Sequence, residues 1–489
     1  MDRREALNGL GVAAAGGAVF SGMAAEAAAK STSVTLSDEY KYPGVDGRIP
    51  VNKPRAYAVM EEMKVDGLIA LDPINVFYLA NTITIGTKFR SEYPAFATFP
   101  RDPKQPSFLI AGASQALEMA NGEREVPELI VITGAANWQD YVDASSAKMK
   151  VEPLSNGAPA PAAPGRTGAP TDGVDRFMWR GGGFAVKSEG PFTDREKRWA
   201  AAQMVSSARS APTPAWALAK ALKESGLANA TVAVDDMRIA HLLDEIGMTG
   251  VKCVPGYKIF QKIRMVKSEV EIALQRIGGR NNAVAAMKTI RAIEKGMTFA
   301  EIDRRFRAEA AALGSDTQSF IAGVSLALLP DGITVPGKPF LIDAVSHFNQ
   351  YHGDFGRTVV IGEPSKETLA REKAHKIGRD AVFDIVKPGV KFSELRRVAK
   401  ETQVKAGLPE QVVIVSPHSV GLQHDDNPSR MDIPFGGPYD HVLEENMVLT
   451  IDLANVEIGW GAGHHEDLFR VTKTGFEYMA PPGDPLVFI

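Results

Sequence analysis

Apolar and polar positions in the first half of the chain switch repeatedly between helical and strand spacing. Tyr57, Met60 and Met63 share one side of a helix predicted over 55–63. An apolar run over 67–71 reads as a strand, and 73–79 as a turn into a second helix. Further short strands are predicted over 107–110, 129–132 and 231–234, with a helix over 238–246. The stretch 193–222 is mostly helical in pattern, broken at Pro212 and Pro214. This alternation predicts an α/β region ending near Phe260.

From Lys267 the pattern changes. Ser268 and Glu271 have capping-box spacing and open a long helix to about Glu294. Gly296, Met297 and Thr298 break it, and Thr298 with Glu301 caps the next helix, through Leu313. Strands are predicted over 340–343, 357–361, 412–415 and 447–451. Helix pairs over a strand-rich sheet give an α+β class.

Composition changes this picture in three places. With 489 residues, 44% of them hydrophobic, the chain has material for two domains of roughly 200 residues each. A net charge of -4 without a long basic stripe argues against a nucleic-acid partner. Cys253 is the single cysteine, which excludes an internal disulfide and a cysteine-rich zinc site. Any metal must be held mainly by carboxylates and imidazoles.

Two segments are set apart from the fold. Arg3-Arg4, a Gly/Ala-rich run to Met23 and small residues from Ala24 to Ala29 have the twin-arginine signal pattern over 1–29. The mature protein is therefore expected in the periplasm, without a membrane span. Residues 155–173 are rich in Pro, Ala and Gly and nearly uncharged, which reads as a flexible insertion.

Four segments carry candidate chemistry. Asp343 and Asp354 lie eleven apart around a turn, so a hairpin can return one beside the other. His418 follows Ser416-Pro417 and precedes Gly421, His424, Asp425 and Asp426. Asp452 closes the run Met447-Val448-Leu449-Thr450-Ile451, and Glu466 follows Gly463-His464-His465. Each acid or histidine stands at or near the predicted end of an apolar strand, where a bare carboxylate is costly unless paired or metal-bound.

These segments, in this order, resemble the creatinase/prolidase/methionine aminopeptidase family of pita-bread metallohydrolases. Residues 263–274 resemble the start of that family's catalytic domain and 55–80 its N-terminal domain. The resemblance implies a creatinase-type α/β domain over 45–262 and a pita-bread domain over 263–489. It implies two divalent ions (Mn, Fe, Co or Zn) held by Asp343, Asp354, His418, Asp452 and Glu466. Asp354 and Glu466 would bridge the ions, Asp343 would bind one, and His418 and Asp452 the other. A bridging hydroxide would attack an amide carbonyl while Asp452 shuttles protons. A short-peptide or small-molecule substrate and a homodimer are also implied.

The chain departs from the family pattern at three points. Asp452 stands where the family has a glutamate, one methylene longer. The stretch Leu329-Pro330-Asp331-Gly332 stands where family peptidases place a histidine. Seven residues after His418 comes Asp425 instead of a second histidine, with His424 one residue earlier. Three readings stay open: an Xaa-Pro dipeptidase or aminopeptidase; a lyase or non-peptide hydrolase resembling the dimethylsulfoniopropionate lyases, with Asp425 or His424 as base; and a binding module with a decayed site. His347, His352, His464 and His465 are expected at the surface or behind the ligands, and Tyr351 and Trp460 in the core.

Overall fold

The computed structural model describes residues 48–489 apart from 90–93, 113–114, 116–124, 133–192, 194–195, 197–209, 212, 329, 429–438 and 485. All lie within one compact unit, Gly44–Ile489. The signal expected over 1–29, the insertion over 155–173 and much of the helix expected over 193–222 lie outside the described residues. No helix among the described residues is long and apolar enough to cross a membrane.

Among the described residues, the first sheet has seven strands: β1 Gly67–Ala70, β2 Phe96–Pro100, β3 Phe108–Gly112, β4 Glu128–Ile132, β5 Ser210–Ala211, β6 Thr231–Val234 and β7 Lys252–Pro255. Their order is β5-β4-β3-β2-β1-β6-β7. Only β2 runs against its neighbours; the other pairs are parallel. All four β1 residues are buried, which is why this strand reads as a continuous apolar run without alternation. The helix expected over 55–63 is Lys53–Glu62, and the Asn52 side chain accepts a hydrogen bond from Arg55 N at its start. The break expected at Pro212 and Pro214 falls between β5 and the helix Pro214–Glu224, which Pro214 begins. A proline there removes an N–H that would have no intrahelical partner anyway.

The second sheet has nine strands among the described residues: β8 Asp316–Gly323, β9 Phe340–Phe348, β10 Tyr351–Val360, β11 Val413–Ser419, β12 Val448–Glu457, β13 Gly461–Asp467, β14 Phe469–Val471, β15 Phe476–Tyr478 and β16 Leu486–Phe488. Its main path is β15-β14-β12-β13-β10-β9-β8, with β11 on β12 and β16 on β10. The helices Glu269–Arg291 and Phe299–Ala312 open on the two expected capping boxes, Ser268 with Glu271 and Thr298 with Glu301.

The long helix covers one face of β9 and β10 at very close range. Asn282 donates to Ala344 O (2.6 Å) and accepts from Ser346 Oγ (2.8 Å). A Cβ at Gly353 would meet Gly278 O at 2.7 Å and Asn282 Cβ at 2.6 Å. Backbone blocks that space, so Gly353→Val is expected to cost about 1–3 kcal/mol or more through overpacking, read as a lower denaturant midpoint. An unchanged midpoint would show that helix and sheet can separate at this point.

Candidate metal centre

Strand register decides which side chains meet. β9 and β10 are joined by Asn349 and Gln350, both at positive φ (46° and 72°), as a two-residue hairpin turn requires. Asp343 lies across from Gly356, and Asp354 across from Val345. Side chains alternate along a strand, so Asp343, Asp354 and Gly356 share one face. Gly356 pairs in turn with Glu466, Leu453 with His465, and Ser416 with Asp452. Carrying the alternation across puts Asp343, Asp354, Glu466, His464, Asp452 and His418 on the same face of five strands, opposite the long helix. His418 and Glu466 lie one residue from the ends of β11 and β13, as expected, whereas Asp343, Asp354 and Asp452 occupy strand interiors. The strand expected over 340–343 runs on to Phe348, and that over 447–451 to Glu457. Polar residues aimed at a shared site interrupt the apolar pattern without interrupting the ladder.

The side chains converge. Ligand atoms fall into three groups, each lying mutually within 4.8 Å: Asp343, Asp354 and Glu466; His418, Asp452 and Glu466; and Asp354, His418 and His424. His418 Nε2 lies 3.4 Å from Asp452 Oδ2, 3.7 Å from Glu466 Oε1 and 3.8 Å from Asp354 Oδ2. Gly356 makes room for a sixth side chain: its missing Cβ would stand 2.4 Å from the His464 ring. His464 is buried, with Nε2 3.1 Å from Asp452 Oδ1 and 3.7 Å from Glu466 Oε2.

Whether this set fits metal ions can be judged from its unpaired atoms. Asp343 Oδ1, both Asp354 oxygens and both Glu466 oxygens are buried without a hydrogen-bond donor. Buried acceptors in this state cost free energy that a cation removes. Burial, with the Asp354 and Asp452 carboxylates adding, drives Glu466 well above the usual carboxylate range. Burial also lifts Asp343 to about 6. Asp452 stays low despite its burial, because the His418 and His464 side chains outweigh it. Carboxylates crowded this closely cannot all stay ionised without positive charge between them. An oxygen-rich set with imidazole suits Mn, Fe, Co or Zn.

The remaining expected residues divide. His424 reaches the cluster, with Nε2 3.0 Å from Asp354 Oδ2, and keeps its side chain 41% exposed. Asp425 is exposed, belongs to none of the three groups, and accepts from Asn427 N (3.1 Å). Asp331 is likewise exposed and outside the groups; Leu329 beside it lies outside the described residues. His352 is buried, its Nδ1 3.0 Å from Gly421 O. His465 is buried against Asp467 (2.9 Å). His347 is half-buried, with its ring 5.2 Å from that of His352. Tyr351 is buried, its hydroxyl donating to Glu271, and Trp460 is half-buried under the Arg371 guanidinium.

Two supports escaped the sequence reading. Arg357, fully buried, donates to Glu466 O (2.8 Å) and to Asp467 Oδ1 (2.6 Å), tying β10 to β13 beside the ligands. Asp426, also buried, accepts from Arg264 Nε (3.1 Å) and Nη2 (2.6 Å), with Lys267 Nζ 3.8 Å away. Arg264 ends the helix Tyr257–Arg264 and Lys267 precedes the next one; the apolar Ile263, Met265 and Val266 around them are the sequence signal for such partners.

The model of Metallopeptidase family M24 matches residues 275–473. The probable dipeptidase PepE of Mycobacterium tuberculosis is 28% identical over 259 residues, covering 50% of this chain and 66% of that one. The Xaa-Pro dipeptidase of Lactobacillus delbrueckii subsp. lactis is 26% identical over 224 residues, covering 44% and 60%. The chain thus spans just under two thirds of these curated relatives. In structure, the Xaa-Pro dipeptidase from Bacillus anthracis superposes with a TM-score of 0.61 at 14% identity, over 89% of this chain and 99% of that one. At that identity the likeness is one of fold, and it extends across both sheets. The α+β architecture expected from the sequence, with a pita-bread second half, is the one present.

Proposed function

The chain carries a domain of metallopeptidase family M24 over residues 275–473, and on that premise we propose that it is a metal-dependent hydrolase of the Xaa-Pro dipeptidase or aminopeptidase type. The observation that carries this reading is the convergence of Asp343, Asp354, His418, Asp452 and Glu466, from five neighbouring strands, with buried oxygens that lack donors.

In this reading those five side chains hold two divalent ions. The ions would supply an activated water at neutral pH and neutralise charge developing on the carbonyl oxygen. The chain's own part is positional. Asp354, His418 and Glu466 each belong to two of the ligand groups, and Asp354 and Glu466 join the Asp343 side of the site to the His418 side. Asp452, its side chain 23% exposed, would take up at Oδ2 the proton given up by the attacking water and pass it to the leaving amine, while His464 at Oδ1 fixes its rotamer. Arg357 fixes the strand spacing beneath Glu466.

The test is an assay of the mature protein with Xaa-Pro and Xaa-Ala dipeptides. Turnover is expected to need Mn, Fe, Co or Zn, to vanish with a chelator and to return on adding metal. Elimination from a sulfonium or betaine substrate, with no dipeptide cleavage, would sink the peptidase reading and favour a lyase. Of the two candidate bases of that lyase, Asp425 belongs to none of the ligand groups, while His424 stands 3.0 Å from Asp354. We also propose twin-arginine export to the periplasm, from Arg3-Arg4 and the small residues before Lys30, and a homodimer. Cell fractionation and sedimentation test these two points.

A further inference from the structure

The third ligand group has no place in the five-residue set. Asp354 Oδ2 lies 3.0 Å from His424 Nε2 and 3.8 Å from His418 Nε2, and the two imidazole rings meet edge to face at 5.0 Å. Ligand atoms on one ion with bonds near 2.1 Å stand about 3.0–3.4 Å apart, so these separations bracket that spacing. The Asp354 side chain is fully buried and neither oxygen has a hydrogen-bond donor, although His424 is so near. Contact without an aligned hydrogen bond is what two donors aimed at a common cation show.

The loop that carries His424 is built, not incidental. Asp426 N donates to Ser419 O (2.9 Å), and Asn427 Oδ1 accepts from Ser419 N (2.8 Å). Gly421 O accepts from His352 N (2.9 Å). The buried pair of Asp426 with Arg264 anchors the residue two places beyond His424. A side chain held this way can serve as a ligand, because its cost of ordering is already met in the folded chain.

We propose that His424 is a sixth metal ligand, joining Asp354 and His418 on one ion. This rests on the hydrolase reading above and deepens it. The carboxylate at 452 is one methylene shorter than in the resembled family, and a second imidazole makes up for the weaker oxygen donor. Two nitrogens shift the preference of that position from Mn toward Co or Zn.

The experiment titrates chelator-stripped protein with Co2+ and with Zn2+, following cobalt visible absorption and calorimetric stoichiometry. Wild type, His424→Ala and Asp354→Ala are compared. His424→Ala is expected to weaken one of two ions at least about 100-fold, beyond the 10–100-fold typical of outer-shell losses, and to change the cobalt spectrum. Both ions bound at wild-type affinity with an unchanged spectrum would overturn the proposal, even if turnover fell. No metal bound by wild type, with Asp354→Ala indistinguishable from it, would instead overturn the hydrolase reading itself. Far-ultraviolet circular dichroism and unfolding of the stripped variants separate ligand loss from misfolding; His424, at 41% exposure, is expected to leave both unchanged.

Discussion

Replacing Asp354 by Asn is expected to lower turnover at least about a thousandfold, roughly 4 kcal/mol of transition-state stabilisation, and to reduce bound metal. Asp354 belongs to two of the three ligand groups, so its loss touches both ions at once. The same substitution has an opposite expected effect on the stripped protein. Without cations, Asp343, Asp354, Asp452 and Glu466 crowd negative charge in a buried place, and Asp354 has no donor at either oxygen. Removing one charge relieves that repulsion. Stripped Asp354→Asn is therefore expected to melt a few degrees above stripped wild type. Added metal should raise the melting temperature of wild type strongly and of the variant weakly, since only binding to the folded state stabilises it. Thermal unfolding with and without metal checks both directions. A variant that keeps both ions and its turnover would remove Asp354 from the centre.

The parts of this site that were legible in the sequence are those fixed by short-range pattern. Asp343 and Asp354 lie eleven apart around a two-residue turn, and strand alternation alone puts them on one face. Both capping boxes were readable because three-residue spacing needs no tertiary information. The extent of β10 was not readable: Tyr351–Val360 begins in the polar run His352-Gly353-Asp354, which mimics a loop. Asp354 faces the site, and the strand's glycines admit the long helix on one side and the His464 ring on the other. The choice between His424 and Asp425 was equally hidden. It depends on Asp426, whose partners Arg264 and Lys267 lie roughly 160 positions earlier in the chain. No periodicity reports a contact of that range.

Breaking that long-range contact gives the second large effect. Asp426 and Arg264 are each 1% exposed and directly paired (2.6 Å). Arg264 also donates to Asn75, on the helix Pro73–Ala80 of the first sheet, and to Gln423 in the His424 loop. One guanidinium therefore ties three segments together: the helix over β1, the start of the second half, and the loop at the centre. Asp426→Ala leaves Arg264 charged and buried without its anion. The expected loss is about 3–5 kcal/mol, because an uncompensated buried charge is what makes such variants unstable. Lys267, with Nζ on Ser419 Oγ (2.9 Å), loses its second partner in the same step. The double variant Arg264→Met with Asp426→Leu removes both charges and is expected to be less destabilised than the two single changes summed, by about 1–3 kcal/mol. Chemical denaturation of the four proteins gives that coupling. Conservative Arg264→Lys keeps the charge but loses the fork that spans Asp426, Asn75 and Gln423, so partial recovery is expected. Loop placement is read separately from stability: the double variant, though folded, is expected to bind one metal ion more weakly, since Asp426 no longer holds His424 beside Asp354. Additive single effects would mean the pair is merely adjacent. Unaltered metal affinity in the double variant would mean that the loop keeps its place without this anchor.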